Sequence, residues 1–144
     1  MEGSEKEKML SGELYRASDP ELVRERQRCR SLLQAFNTRP DEEQRLAVLR
    51  DLLGRIGRGT SVQPPFACDY GYNVLVGDNA FINFNAVILD CAPVMIGDGT
   101  QIASGVQLLA ADHPRDPDVR PDLLELARPV SIGSNVWLGA AAIV

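Results

Sequence analysis

The apolar positions of this 144-residue chain follow two different periods, and the change falls near residue 56. In the first part, Leu22, Cys29, Leu33 and Phe36 recur at spacings of seven, four and three, which places them on one face of a helix. Ser18-Asp19-Pro20-Glu21 precedes that stripe and reads as a helix start, with Ser18 as N-cap, proline in the first turn and Glu21 at the capping-box position. Pro40 and Asp41 open a second helix, on which Leu46, Leu49, Leu53 and Ile56 form a similar stripe. Residues 4 to about 56 are therefore expected to be helical. The charged run "RERQR" is expected to be the solvated face of the first helix, and Gly54, Gly57 and Gly59 close the region.

From Ile56 onward the aliphatic positions lie six apart. Ile56-Gly57, Val76-Gly77, Ile96-Gly97 and Ile132-Gly133 each begin a unit of the form aliphatic, glycine, polar, polar, small, any. "VGDNAF INFNAV" is followed, after "ILDCAPVM", by "IGDGTQ IASGVQ", and the unit returns as "IGSNVW LGAAAI". Such a repeat cannot make an ordinary hairpin sheet. It points one aliphatic side chain inward from each flat face of a coil, with small residues turning the corners, which is the hexapeptide signature of a parallel β-helix. The expected fold class is mainly β: a β-helix over residues 57–144, preceded by a small N-terminal helical region over residues 1–56.

Composition narrows the function. A net charge of −5 and a pI near 4.9 disfavour a nucleic-acid partner, which calls for a basic face, and none is expected. The N-terminus "MEGSEKEKML" has no apolar signal region, and no apolar run approaches the ~18 residues of a membrane span. Cys29, Cys68 and Cys91 form no C-x-x-C pair and read as reduced thiols of a cytoplasmic protein. With a single histidine, His113, no metal site is expected, and a γ-type carbonic anhydrase, which needs three zinc histidines, is excluded.

His113 lies in "LLAADHPRDPDVRP", where the repeat breaks off. By itself it is either an exposed loop residue or a general base, the task its side chain suits best near neutral pH. Longer motifs bear on that choice. "MLSGELYRASDPEL", "PPFACDYGYN", "FINFNAVILDCAPVMIGDG", "ADHPRDP" and "IGSNVWLGA" together run from about Met9 to Val144. Through them the chain resembles the hexapeptide-repeat O-acetyltransferases, within them the maltose, galactoside and nodulation acetyltransferases.

The resemblance implies a left-handed coil, a homotrimer with active sites between subunits, and transfer of acetyl from acetyl-CoA to a sugar hydroxyl. It makes His113 the base and Glu125 the carboxylate that orients the imidazole, beside the alternative that Glu125 is an ordinary surface carboxylate. It assigns Asp69, Asn83, Asn85, Asp90 and Cys91 to the acceptor, and Asn83, Trp137 and Ala140 to the coenzyme A channel. If Val76 and Ile82 point inward, strand alternation puts Asn83 and Asn85 together on the outer side; the competing reading is an asparagine ladder or corner turn. For Trp137 the competing role is trimer packing. The galactoside enzymes carry an aspartate where this chain has Cys91, which points toward the maltose-like or nodulation-like branch. The repeat is still running at Val144, so further coils with basic residues for the coenzyme phosphates are expected to be missing and acetyl-CoA binding by this form to be weak. A second function class stays open beside the enzyme, a non-catalytic coil that serves as an interaction or assembly subunit.

Overall fold

Parallel strands stacked coil upon coil form the centre of the molecule in a computed structural model that describes residues 3–144. The chain begins with α1 (Glu5–Ser11), the short strand β1 (Tyr15–Arg16), α2 (Pro20–Thr38) and α3 (Glu42–Leu52). The first coil contains β2 (Arg55–Ile56), β3 (Ser61–Val62) and β4 (Phe66–Cys68), and the second β5 (Val74–Val76), β6 (Phe81–Ile82) and β7 (Ala86–Leu89). The third contains β8 (Val94–Ile96), β9 (Gln101–Ile102) and β10 (Gln107–Leu109). An excursion follows, β11 (Ala111–Asp112) and β12 (Leu124–Ala127), before β13 (Val130–Ile132) and β14 (Trp137–Leu138) resume the coil. The sheet orders β13-β8-β5-β2, β14-β9-β6-β3 and β10-β7-β4 make the three faces of a left-handed parallel β-helix.

The period of six explains the stacking. Val62, Ile82, Ile102 and Leu138 meet in register on one face, and Ile56, Val76, Ile96 and Ile132 on the next. Cys68, Ile88 and Leu108 fill the third. Ile82, Ile88, Ile102 and Leu108 are each at most 2% exposed, and burying such a side chain contributes roughly 1.5–3 kcal/mol. The "small" slot of each unit is also inward. Thr60 and Thr100 are buried there, and each hydroxyl donates to a carbonyl of the next coil, at 2.6 Å to Gly77 and 2.7 Å to Gly133. Gly97 allows that close stacking, since a Cβ on it would lie 2.5 Å from the backbone of Gly133.

In the N-terminal region Leu22, Cys29, Leu33 and Phe36 are buried as their spacing requires. Phe36 meets Phe66 edge-on at 6.3 Å, and Asn37 accepts from the Phe66 amide and donates to its carbonyl, so α2 is fastened to β4. Other expectations need correction. The N-cap of α2 is Asp19, whose side chain accepts from the Glu21 amide; the capping box is made at α1 by Ser4 and Glu7. β1 interrupts the expected helical stretch. Ile56 is a β2 residue of the first coil rather than part of the α3 stripe, where Leu49 and Leu52 are the buried residues. Leu53 turns extended and the Gly54 amide donates to the Gly71 carbonyl, drawing the chain off the helix into the coil. Among the described residues no helix is long and apolar enough to cross a membrane.

Candidate active site

The residues of α2 that face the coil, together with the ends of several strands, enclose a polar cleft of about 240 Å³. It is lined by Ala17, Arg26, Arg30, Asp69, Tyr70, Cys91 and Glu125. A larger hollow of about 310 Å³ between α3 and the first coil is lined by none of the catalytic or binding residues expected from the sequence. Arg26 and Arg30 come from consecutive turns of α2, Asp69 and Tyr70 follow β4, Cys91 follows β7, and Glu125 sits on β12.

Both carboxylates of the cleft are placed by hydrogen bonds. The Cys91 thiol donates to Asp69 Oδ2 at 3.3 Å, and burial, followed by the Asp69 charge, pushes that thiol up to about 12. Burial also raises the Asp69 carboxyl, against the opposing pull of the Cys91 bond and the charges of Arg26 and Arg30. Glu125 pairs with Tyr15 across the β1–β12 ladder and accepts from its hydroxyl at 3.1 Å. Tyr15 is fully buried and its hydroxyl is pushed up mainly by burial, so it stays a neutral donor.

Of the residues expected from sequence, the cleft thus gathers Asp69, Cys91 and Glu125. Asp90 lies beneath it with no exposed surface. Its Oδ1 accepts from the Asp69 and Tyr70 amides at 3.0 and 2.8 Å, and its Oδ2 from the Asn73 amide at 3.2 Å. The expected acceptor contact is therefore a carboxylate that folds the 69–73 loop.

Asn83 and Asn85 do not share a strand face, because β6 ends at Ile82. Asn83 accepts from the Phe84 amide within the turn. Asn85 takes a left-handed conformation at φ 62° at the corner, which asparagine tolerates better than most residues. Trp137 is 76% exposed on the outer side of β14, in register with Gln101 and, below it, Phe81 and Ser61. Ala140 is exposed on the same coil.

His113 is exposed and lies directly after β11. The β11–β12 ladder pairs Ala111 with Ala127 and Asp112 with Leu126, so the next positions in that register are His113 and Glu125. The imidazole has no hydrogen-bond partner among the described residues, and Glu125 holds Tyr15 rather than the ring. The backbone of the excursion is well tied. Arg120 donates to the carbonyls of Pro114 and Arg115, and Arg16 to that of Asp122.

Arg26, Arg30 and Tyr70 line the cleft without having been expected from the sequence, and Arg26 is the most engaged of them. Read as part of a solvated face, it is half-buried, and its guanidinium donates to the Tyr70 hydroxyl and the Ala17 carbonyl, both at 2.7 Å. The signal was available. Arg26 lies four after Leu22 and three before Cys29, so it fills a vacant slot of the buried stripe.

The cleft makes one stability prediction. Because burial raises the folded-state pKa of Asp69, the ionised carboxylate costs stability at neutral pH, and the cost disappears once pH falls low enough to protonate it in both states. Asp69→Asn is expected to gain less than about 1 kcal/mol at pH 7, with the gain shrinking toward acid pH. Thermal midpoints of both proteins across pH check this. A gain that grows on acidification would contradict it.

Residues 8–57, about a third of the chain, match the maltose acetyltransferase hexapeptide capping motif. Nodulation protein L of Rhizobium meliloti is 47% identical over 146 residues, covering all of this chain and 80% of the relative. The crystal structure of a maltose O-acetyltransferase from Clostridium difficile superposes with a TM-score of 0.93 at 38% identity, covering 99% of this chain and 87% of that one. A galactoside acetyltransferase in complex with coenzyme A gives a TM-score of 0.94 at 31% identity, over 99% of this chain and 72% of that one. With its stacked six-residue units, its helical N-terminal region and these relatives, the chain belongs to the hexapeptide-repeat family of acetyl-CoA-dependent acetyltransferases.

Proposed function

We propose that this protein acetylates a hydroxyl of a sugar held in the Arg26–Asp69–Glu125 cleft, with His113 as general base, acting in the cytoplasm as a homotrimer. The observation that carries the reading is the cleft itself. Two carboxylates and two guanidinium groups face one small space, and such a set can accept from and donate to several vicinal hydroxyls at once. Acetyl-CoA supplies an acyl group on a thiolate that leaves readily. His113 removes the acceptor hydroxyl proton as the new C–O bond forms and returns it to the departing sulfur. Asp69, Glu125 and Cys91 orient the acceptor, Asn83 contacts acceptor or acetyl group, and Trp137 with Ala140 offers an exposed wall for the pantetheine arm.

The trimer is supported by large apolar side chains left exposed on the coil, among them Phe84 at 48%, Met95 at 42% and Trp137 at 76%. His113 does not line the cleft of its own chain, so a neighbouring surface completes the site. The free thiols of Cys29, Cys68 and Cys91 fit a reducing compartment. The test is to incubate the protein with acetyl-CoA and a panel of mono- and oligosaccharides and to follow thiol release. Release that depends on one class of sugar supports the proposal. Release no faster than acetyl-CoA hydrolysis with every sugar would overturn it and favour an assembly role for the coil.

A further inference from the structure

Two neighbouring residues of α2, Glu25 and Arg26, are each engaged by a tyrosine from the loop after β4. The Tyr72 hydroxyl donates to Glu25 at 2.7 Å, and the Tyr70 hydroxyl accepts from Arg26 Nη1 at 2.7 Å. Tyr70 is itself buried and tied down. It is 2% exposed, its ring packs at a tilt of 46° against that of Tyr72 with centroids 5.4 Å apart, and its amide is held by the buried Asp90 carboxylate. The other terminal nitrogen of Arg26 is held by the Ala17 carbonyl, so the guanidinium is clamped on two sides while it lines the cleft. A free arginine side chain samples many rotamers and loses that freedom on binding a ligand. One clamped beforehand has already lost it.

We propose that Tyr70 is a positioning residue, whose hydroxyl fixes the Arg26 guanidinium toward the cleft and thereby sets affinity for the acceptor. The inference rests on the reading of the cleft as the acceptor site. It does not concern acetyl-CoA, whose proposed contacts, Trp137 on β14 and Ala140 just after it, do not line the cleft. The hydroxyl acts through Arg26, so the two residues form a unit: removing the hydroxyl matters only while the guanidinium is present.

The test uses the full chain with Tyr70→Phe, Arg26→Ala and the double variant. Tyr70→Phe keeps the buried ring and is expected to raise the acceptor KM on the order of tenfold, leaving the acetyl-CoA KM near that of the parent and lowering the thermal midpoint by a few degrees for the lost hydrogen bond. In the Arg26→Ala background the same change is expected to add nothing. An equal rise in KM in both backgrounds would mean that the hydroxyl touches the acceptor directly, and would overturn the positioning role. A second readout does not depend on activity. The guanidinium ¹⁵N–¹H resonances of Arg26 are expected to be resolved in the parent and averaged by rotation in Tyr70→Phe. If they are unchanged in Tyr70→Phe, the inference fails whether or not any sugar is acetylated. If the resonances collapse in a protein that acetylates no sugar, the clamp stands and the acceptor reading falls.

Discussion

Replacing His113 with alanine is expected to lower acetyl transfer by about 10²–10⁴-fold, the usual cost of losing a general base, while leaving the fold intact. The stability half of this follows from position. His113 is exposed, lies past the end of β11, and its ring bonds to nothing among the described residues, so no packing or hydrogen bond is lost with it. The activity half follows from the lack of a substitute. It is the only histidine of the chain, and the cleft carboxylates, anchored by Tyr15 and Cys91, are taken up with orienting the acceptor. The backbone around it is also preorganised. The His113 amide donates to Asp112 Oδ1 at 2.8 Å, and Arg120 closes the rest of the excursion onto Pro114 and Arg115. Turnover should therefore collapse in the variant while its thermal midpoint stays with the parent's. Near-parental turnover would remove His113 from the mechanism.

What the sequence disclosed and what it hid divide along a physical line. The coils were legible because a single variable, inward or outward, repeats every six residues, and a stack of Val62, Ile82 and Ile102 follows from it directly. Arg26 was hidden because a charge in a buried stripe looks like an interruption. What it satisfies lies 44 residues away, on Tyr70. Asp90 was misplaced for a related reason, since no pattern distinguishes a carboxylate facing ligand from one facing backbone amides. Asn85 belonged to a corner because β6 is only two residues long, and strand alternation does not survive beyond it. Cys29 and Cys68, 39 positions apart in the sequence, bring their sulfurs within 3.5 Å once α2 lies on β4. In each case the missing information was which distant residue becomes a neighbour, and only the stacked coil supplies that.

Asp90→Ala is expected to destabilise the protein by about 3–5 kcal/mol, because amides left buried without an acceptor cost on the order of 1–3 kcal/mol each. Three amide hydrogens converge on this carboxylate, from Asp69, Tyr70 and Asn73, in a place with no solvent access. A methyl group cannot accept from any of them, and the Asn73 side chain, which donates to the Asp90 carbonyl at 2.9 Å, loses the loop geometry that holds it there. Asp90→Asn separates the contributions. Its amide oxygen can still serve Asp69 and Tyr70 as Oδ1 does, whereas its NH₂ group would face the Asn73 amide, donor against donor. The asparagine variant should therefore fall between parent and alanine in urea denaturation. A loss of less than about 1 kcal/mol for Asp90→Ala would show that water replaces the carboxylate at little cost. The 69–73 loop would then keep its shape without this anchor, and with it the placement of Asp69 and Tyr70 in the cleft.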